Sequence, residues 1–228
     1  GLVNNTTMDI SVENNAMWFA TIGGVSNYAN SAWTNYTTGN GLVDNGSSCS
    51  LIDSEGNLWV GSYTAGVSKY DGIIWTSITS GDHLPDDHIW DIYQDSQDNI
   101  WIGTSGGVAK YNGSTWDTLT KADGLATNLV RSLGEDDYGR LWFGSDSSKI
   151  TVYDGSDFIV YSAETAIPDI ATTSIEEIND TIYATSSAGV MLYSYKTAWT
   201  NYHPGVMTGD TIEAAIVGNE DNLWIGTW

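Results

Sequence analysis

The sequence predicts an all-β protein: a β-propeller of four-stranded antiparallel blades, with five full blades and the first two strands of a sixth. Three observations predict it. Trp18, Trp59, Trp101 and Trp142 open closely similar tetrapeptides, and Tyr183 and Trp224 continue the series at steps of 41, 42, 41, 41 and 41 residues. So regular a spacing across 228 residues marks one structural unit copied end to end. Each period holds four runs of about five residues rich in Val, Ile, Thr, Tyr and Trp, separated by turn residues. No window carries a helical period longer than about two turns.

The third unit shows the four strands most clearly. Its runs are Ile89 to Gln94, Ile100 to Thr104, Val108 to Tyr111 and Thr115 to Leu119. Asp95-Ser96-Gln97-Asp98-Asn99 reads as the turn of the first hairpin, matched by Asp53-Ser54-Glu55-Gly56-Asn57 and Asp136-Asp137-Tyr138-Gly139-Arg140. Tyr70-Asp71-Gly72 and Tyr153-Asp154-Gly155 close third strands with a tight turn. Gly24, Gly66, Gly107 and Gly189 precede third strands, where positive φ or a close strand approach needs the missing Cβ. A second aromatic follows the first by 15 or 16 residues: Trp33, Trp75, Trp116, Phe158, Trp199. The fourth and fifth units have drifted, with Ser148-Lys149-Ile150 in place of Gly-Gly-Val and Tyr183 in place of Trp.

These residues resemble the two-component regulator propeller repeat. Gly124-Leu125, Asn128, Asp136, Gly139 and Leu141-Trp142-Phe143-Gly144-Ser145 carry the resemblance, as do Gly107-Val108, Tyr111 and Trp116. It extends over every unit. The resemblance implies a non-enzymatic sensory region of the kind found in the periplasmic part of hybrid two-component systems. The streptogramin lyases are similar in fold, and there a histidine and acidic groups work with bound Mg²⁺. That likeness implies a metal-assisted lyase as the enzymatic alternative.

Blade units fall at about residues 1–40, 41–82, 83–123, 124–165, 166–205 and a partial 206–228. They form one propeller domain or a segment of a larger propeller. Gly1-Leu2-Val3-Asn4-Asn5 matches Gly41-Leu42-Val43-Asp44-Asn45, so the chain begins and ends within the repeat pattern. One expectation is a piece of a longer propeller. The other is an incomplete ring whose open blade edges pair with something else.

Seven Lys and Arg against 29 Asp and Glu give a net charge of −22. That excludes the basic footprint which nucleic acid requires. No apolar run is long enough to span a bilayer. The single cysteine, Cys49, has no internal disulfide partner and reads as a small buried apolar residue. Low lysine, abundant Asn, Thr and Ser, and one cysteine fit an extracytoplasmic bacterial protein, periplasmic or secreted.

The repeated tryptophans read first as packing between blades, with sugar stacking as the alternative for any exposed ring. Asp53, Asp95, Asp136 and Glu177 each lie six residues before the blade's aromatic and read as turn caps. Ca²⁺ or Mg²⁺ is the weaker reading there, because the alternating ligands of a calcium loop are missing. No cofactor is expected, nor any catalytic residue. No Gly-x-Ser-x-Gly elbow and no phosphate loop is present.

Function is expected where the repeat is broken, since a site can be grafted there without disturbing the scaffold. The connection from Gly81 to His88 holds two of the three histidines, so His83, Asp86, Asp87 and His88 are the candidate ligand-binding residues. Tyr63 and Asp146, between second and third strands, are expected on the same face. His203 occupies the equivalent connection after the fifth unit. The expected partner is a small molecule, a glycan or another protein at that face. A structural or adhesive role on a cell surface is the second reading.

Overall fold

The computed structural model describes residues 1–13, 15–146, 149–162, 171–186, 189–194, 198–202, 212–217 and 223–227; at Gly189 and from Ser194 onward it describes the backbone alone. His203 lies outside these residues. Among them the only helical turn is a 3-10 turn at Thr38–Asn40. Everything else of regular structure is strand.

Five antiparallel four-stranded meanders follow in chain order. The first holds β1 (Thr7–Glu13), β2 (Ala16–Thr21), β3 (Gly24–Ala29) and β4 (Ala32–Tyr36). The second holds β5 (Ser47–Ile52), β6 (Leu58–Ser62), β7 (Val67–Tyr70) and β8 (Trp75–Ile78). The third holds β9 (Ile89–Gln94), β10 (Ile100–Thr104), β11 (Val108–Tyr111) and β12 (Trp116–Leu119). The fourth runs from β13 (Ser132–Glu135) through β14 (Leu141–Gly144) and β15 (Lys149–Tyr153) to β16 (Phe158–Ser162). The fifth runs from β17 (Thr172–Ile178) through β18 (Thr181–Ser186) and β19 (Gly189–Ser194) to β20 (Ala198–Tyr202). A pair, β21 (Ile212–Val217) and β22 (Leu223–Thr227), follows. Residues 1–118 and 119–228 make two compact units.

The first hairpin of a blade is built around one carboxylate. Asp53 Oδ1 accepts the backbone N–H groups of Glu55 (3.1 Å) and Asn57 (2.8 Å), which shapes the turn. Its Oδ2 accepts the indole N–H of Trp59 at 2.7 Å, six residues on. The same geometry recurs from Trp101 to Asp95 and from Trp142 to Asp136, each at 2.7 Å. These three aspartates and three indoles are buried. A buried carboxylate is tolerable only when its lone pairs are filled, and here the turn N–H groups, the indole and a neighbouring side chain fill them. That neighbour is Asn57, Asn99 or, in the fourth blade, Arg140 at 2.9 Å.

Glu177 departs from this pattern. It lies inside β17 opposite Ile182, because Asn179 and Asp180, both at positive φ, close a two-residue turn between Ile178 and Thr181. Burial and the nearby Asp137 push its carboxyl up, while the backbone of Asp180 and Thr181 pulls it down. Tyr183 has no ring N–H to offer it.

The third hairpin is capped by a phenol. Tyr70, Tyr111 and Tyr153 donate from the hydroxyl to the carbonyls of Gly72, Gly113 and Gly155 at 2.9, 2.8 and 2.8 Å. Each tyrosine also packs on the aromatic that opens the next strand: Tyr28–Trp33, Tyr70–Trp75, Tyr111–Trp116 and Tyr153–Phe158, at centroid distances of 4.9, 4.8, 4.7 and 4.6 Å.

Blades stack by inserting the second-strand tryptophan of one into this aromatic pair of the next; Trp59 and Trp142 arrive clamped by aspartate, whereas Trp18 has Val12 in the aspartate's place. Within residues 1–118, Trp18 meets Tyr70 at 5.8 Å, and Trp59 meets Tyr111 at 6.0 Å and Trp116 at 6.5 Å. Within residues 119–228, Trp142 meets Tyr193 at 5.2 Å. Apolar side chains of the first two strands complete each interface; Ile89, Ile92, Ile100 and Ile102 form a single cluster with Trp59 and Cys49.

The connections into the blades are braced by the third strand. Ser26, Ser68 and Thr151 accept the backbone N–H groups of Val3, Val43 and Ala126 at 2.8, 2.8 and 3.0 Å. In the third blade the hydroxyl is absent, at Ala109, and Pro85 stands where the N–H would be. Acceptor and donor are lost together, so no polar group is stranded.

Two predictions follow from this packing. Gly66 and Gly72 have nearly equal φ, 92° and 91°, but a Cβ on Gly66 would collide with the Ile78 carbonyl, whereas one on Gly72 meets nothing within 4 Å. Gly72→Ala should therefore cost about 1 kcal/mol, the left-handed backbone alone, and Gly66→Ala at least about twice that in denaturant unfolding. Burial pushes the Glu176 carboxyl up to about 7 from 4.5. The folded chain then binds more protons than the unfolded one between those values, so stability of the second unit falls as pH rises from about 5 to 7 and levels off above. Glu176→Gln should flatten that slope, as measured by thermal unfolding across the range.

Candidate functional site

The Gly81–His88 connection is mostly repeat scaffold. Thr79 carbonyl accepts the N–H groups of Asp82, His83 and Leu84 at 3.0, 3.0 and 3.1 Å, forming a compact turn. Asp82 closes it by accepting from the Thr79 hydroxyl at 3.0 Å, as Asp123 does from Thr120 at 2.8 Å. Asp87 accepts from Ser80, backbone at 2.6 Å and hydroxyl at 2.8 Å. Asn45 and Asn128 hold the equivalent backbone N–H groups, of Thr38 and Lys121. Asp86 caps the turn into the next strand through the His88 N–H at 2.8 Å. Leu84 is buried beneath the loop, like Leu42 and Leu125. Asp87 therefore does the work of Asn45 and Asn128, and Asp86 that of Asp44, which accepts the Gly46 N–H at 3.3 Å. The residues that break the repeat are the histidines: His83 stands where the siblings have Gly41 and Gly124, and His88 where they have Gly46 and Leu129.

The two histidines go to different surroundings. His88 lies between Tyr63 (5.7 Å, edge-on) and Trp90 (4.4 Å), which sets Tyr63 against this connection. Trp90 sits at a register shift where β9 bulges against β10, and its indole donates to Ser105 at 3.0 Å. Partial burial, with Cys49 nearby, pushes the Tyr63 phenol up. His88 Nε2 is buried without a hydrogen-bond partner. Asp146 is exposed and belongs to the second unit.

His83, by contrast, is exposed and lies flat on Trp116, with centroids 5.3 Å apart and planes 4° apart. The pair walls a cavity of about 370 Å³ in the outer crevice between the second and third blades. Trp59 and Tyr111 form its apolar floor, and Lys69, Thr76, Ser77, Ile78 and Asp82 complete the lining. The Lys69 ammonium lies 4.7 Å over Trp59 and 5.9 Å from Tyr111, within cation–π range. A second cavity of about 160 Å³ shares Trp59, Lys69 and Tyr111 and adds Asp53, Glu55, Gln94 and Asp98. Chemically this is a ring-lined concavity with hydroxyl, carboxylate and ammonium groups at its rim, a surface suited to stacking a flat ligand and holding its polar groups. Lys69 and Tyr111 escaped the sequence reading. Their signal was the recurrent Lys-Tyr at the end of the third strand, Lys69-Tyr70 and Lys110-Tyr111.

Among the described residues no three His, Cys, Asp or Glu side chains are grouped to hold a metal ion, nor is any helix long and apolar enough to cross a membrane.

No curated protein matches the sequence. Solved structures do match in fold. The extracellular domain assigned to a hybrid two component system of B. thetaiotaomicron superposes with a TM-score of 0.84 at 23% identity, over 98% of this chain and 32% of that one. A catalytically inactive virginiamycin B lyase from Staphylococcus aureus, with quinupristin, gives 0.79 at 16% identity, over 100% of this chain and 80% of that one. PorZ, a surface component of the type-IX secretion system of Porphyromonas gingivalis, gives 0.73 at 15%, over 98% and 39%. The chain thus spans about a third of the length of the two component domain it matches. The family model for the two component regulator propeller matches residues 41–64, 83–106 and 124–147, and the fold is that of four-stranded β-propeller blades.

Proposed function

We propose that the chain is a non-enzymatic, extracytoplasmic recognition module whose binding site is the ring-lined crevice between the second and third blades. The carrying observation is that crevice: about 370 Å³, walled by the stacked His83–Trp116 pair, floored by Trp59 and Tyr111 and rimmed by Lys69 and Asp82. Its histidine departs from the repeat, and the residues holding its loop in place do not. A site of this size takes one or two sugar rings or a comparable small molecule. The fold shared with the extracellular domain of a two component system supports a sensory use, with capture at one crevice transmitted through blade packing. The acidic composition and single cysteine agree with an extracytoplasmic setting.

Docking to another protein is a second reading, favoured by one feature. Ile73 and Ile74, 84% and 59% exposed, stand at the tip of the β7–β8 hairpin, where the third blade has Ser114-Thr115. A lyase gains nothing from the geometry, since His83 and His88 point to separate clusters and Asp86 and Asp87 are spent on backbone caps.

A panel of glycans and small metabolites, screened by saturation-transfer NMR and tryptophan fluorescence, tests the proposal. Ligands should weaken about tenfold or more in Trp116→Ala and measurably in His83→Ala. Binding that both variants leave unchanged would place recognition elsewhere and remove the crevice from the account.

A further inference from the structure

The first blade carries an uncovered copy of the surface that, in later blades, receives a neighbour's tryptophan. Pairing register makes the positions equivalent. Ile10, Val12, Met17 and Phe19 on β1 and β2 correspond to Ser50, Ile52, Leu58 and Val60 in the second blade. In the third blade they correspond to Ile92, Gln94, Ile100 and Ile102. Leu58, Val60, Ile100 and Ile102 are all buried beneath the preceding blade, whereas Ile10, Val12 and Met17 are 53%, 65% and 37% exposed.

The aromatic pair tells the same story. Tyr28 and Trp33 are set as Tyr70 and Trp75 are, at 4.9 and 4.8 Å. Yet Tyr70 is met by Trp18 from the blade before it, while Trp33 is 39% exposed. Phe19 packs against Trp33 at 5.4 Å and extends the apolar face. A face of this kind on a soluble sheet marks an interaction surface.

We propose that this face seats a further blade of the same repeat, whose clamped second-strand tryptophan inserts against Tyr28 and Trp33. The chemistry of the occupant is specified by the junctions made by Trp59 and Trp142, where an aspartate-held indole meets a tyrosine of the next blade, and at the first junction Trp18 meets Tyr70 with Val12 in place of the aspartate. Among the described side chains, a second copy of this chain offers no indole that fits that specification. Its Trp59, Trp101 and Trp142 are already buried, and its Trp18 is packed on its own Tyr36 and Tyr70.

The repeat register supplies the test. Residues 41–82 are duplicated and joined directly to Gly1, which stands in register with His83, so that the added blade precedes β1 in the natural spacing. The fused chain should unfold at a higher denaturant midpoint. Amide exchange in β1 should slow by about tenfold or more, and oxidation of Trp33 should slow with it. Trp59→Ala in the added copy alone should abolish these gains. The proposal is overturned if the added blade leaves β1 and Trp33 unprotected, or if its Trp59→Ala form protects equally. It is also overturned if Trp33 is already protected in the unfused chain, or if the unfused chain dimerises in a way that Ile10→Lys disrupts, which would make a second copy the occupant.

Discussion

One hydrogen-bonded group organises the repeat: a buried aspartate at the first hairpin turn that holds an indole N–H six residues away. The residue count is dictated by geometry. Two backbone N–H contacts to one carboxylate oxygen fold the turn, and the strand that leaves it brings the indole back beside the same carboxylate. Removing the indole would leave a lone pair unfilled in a dry site, and removing the carboxylate would strand the indole N–H and the turn N–H groups. The clamp therefore fixes the tryptophan's direction as well as its burial, and that direction is what the neighbouring blade reads. Stacking of blades depends on a local turn.

From there the fold builds outward with little further information. The clamped ring meets a tyrosine–aromatic pair whose own spacing is set by a phenol-to-carbonyl cap on a glycine turn. The paired loss of hydroxyl and N–H at Ala109 and Pro85 shows how strictly polar groups are matched where the connections pass under the sheet. Such a scaffold leaves loops and rims free to vary. The His83 substitution uses that freedom: a glycine position next to the fourth-strand aromatic becomes an imidazole stacked on Trp116, and the crevice beside it acquires a wall.

Most of the fold was legible in the sequence, because a spacing of about 41 residues, period-two strands and turn chemistry all point to one answer. The four strands of the third blade lie within one residue of where the sequence puts them. The turn aspartates were legible as caps but not as indole acceptors, since the bond spans a hairpin and depends on side-chain direction. Glu177 kept the spacing and lost the turn, because Asn179 and Asp180 shorten the loop in a way that counting back from the aromatic does not register. The candidate site was half legible. The connection was correctly seen as unusual, but its acidity turned out to belong to the shared scaffold, because Asp and Asn serve alike as caps. Tyr63 and His88 do meet; His83 joins aromatics from two blades, a proximity that only blade stacking creates.

The clamp is tested most directly by a double-mutant cycle between Asp95 and Trp101. Asp95→Asn, Trp101→Phe and the double variant are compared with the parent chain in denaturant unfolding. A coupling of about 1.5 kcal/mol or more is expected for a buried, charge-assisted bond, with either single change lowering stability and the second adding little. Additive losses with a coupling near zero would mean the tryptophan is held by packing alone, and the aspartate would revert to a turn cap.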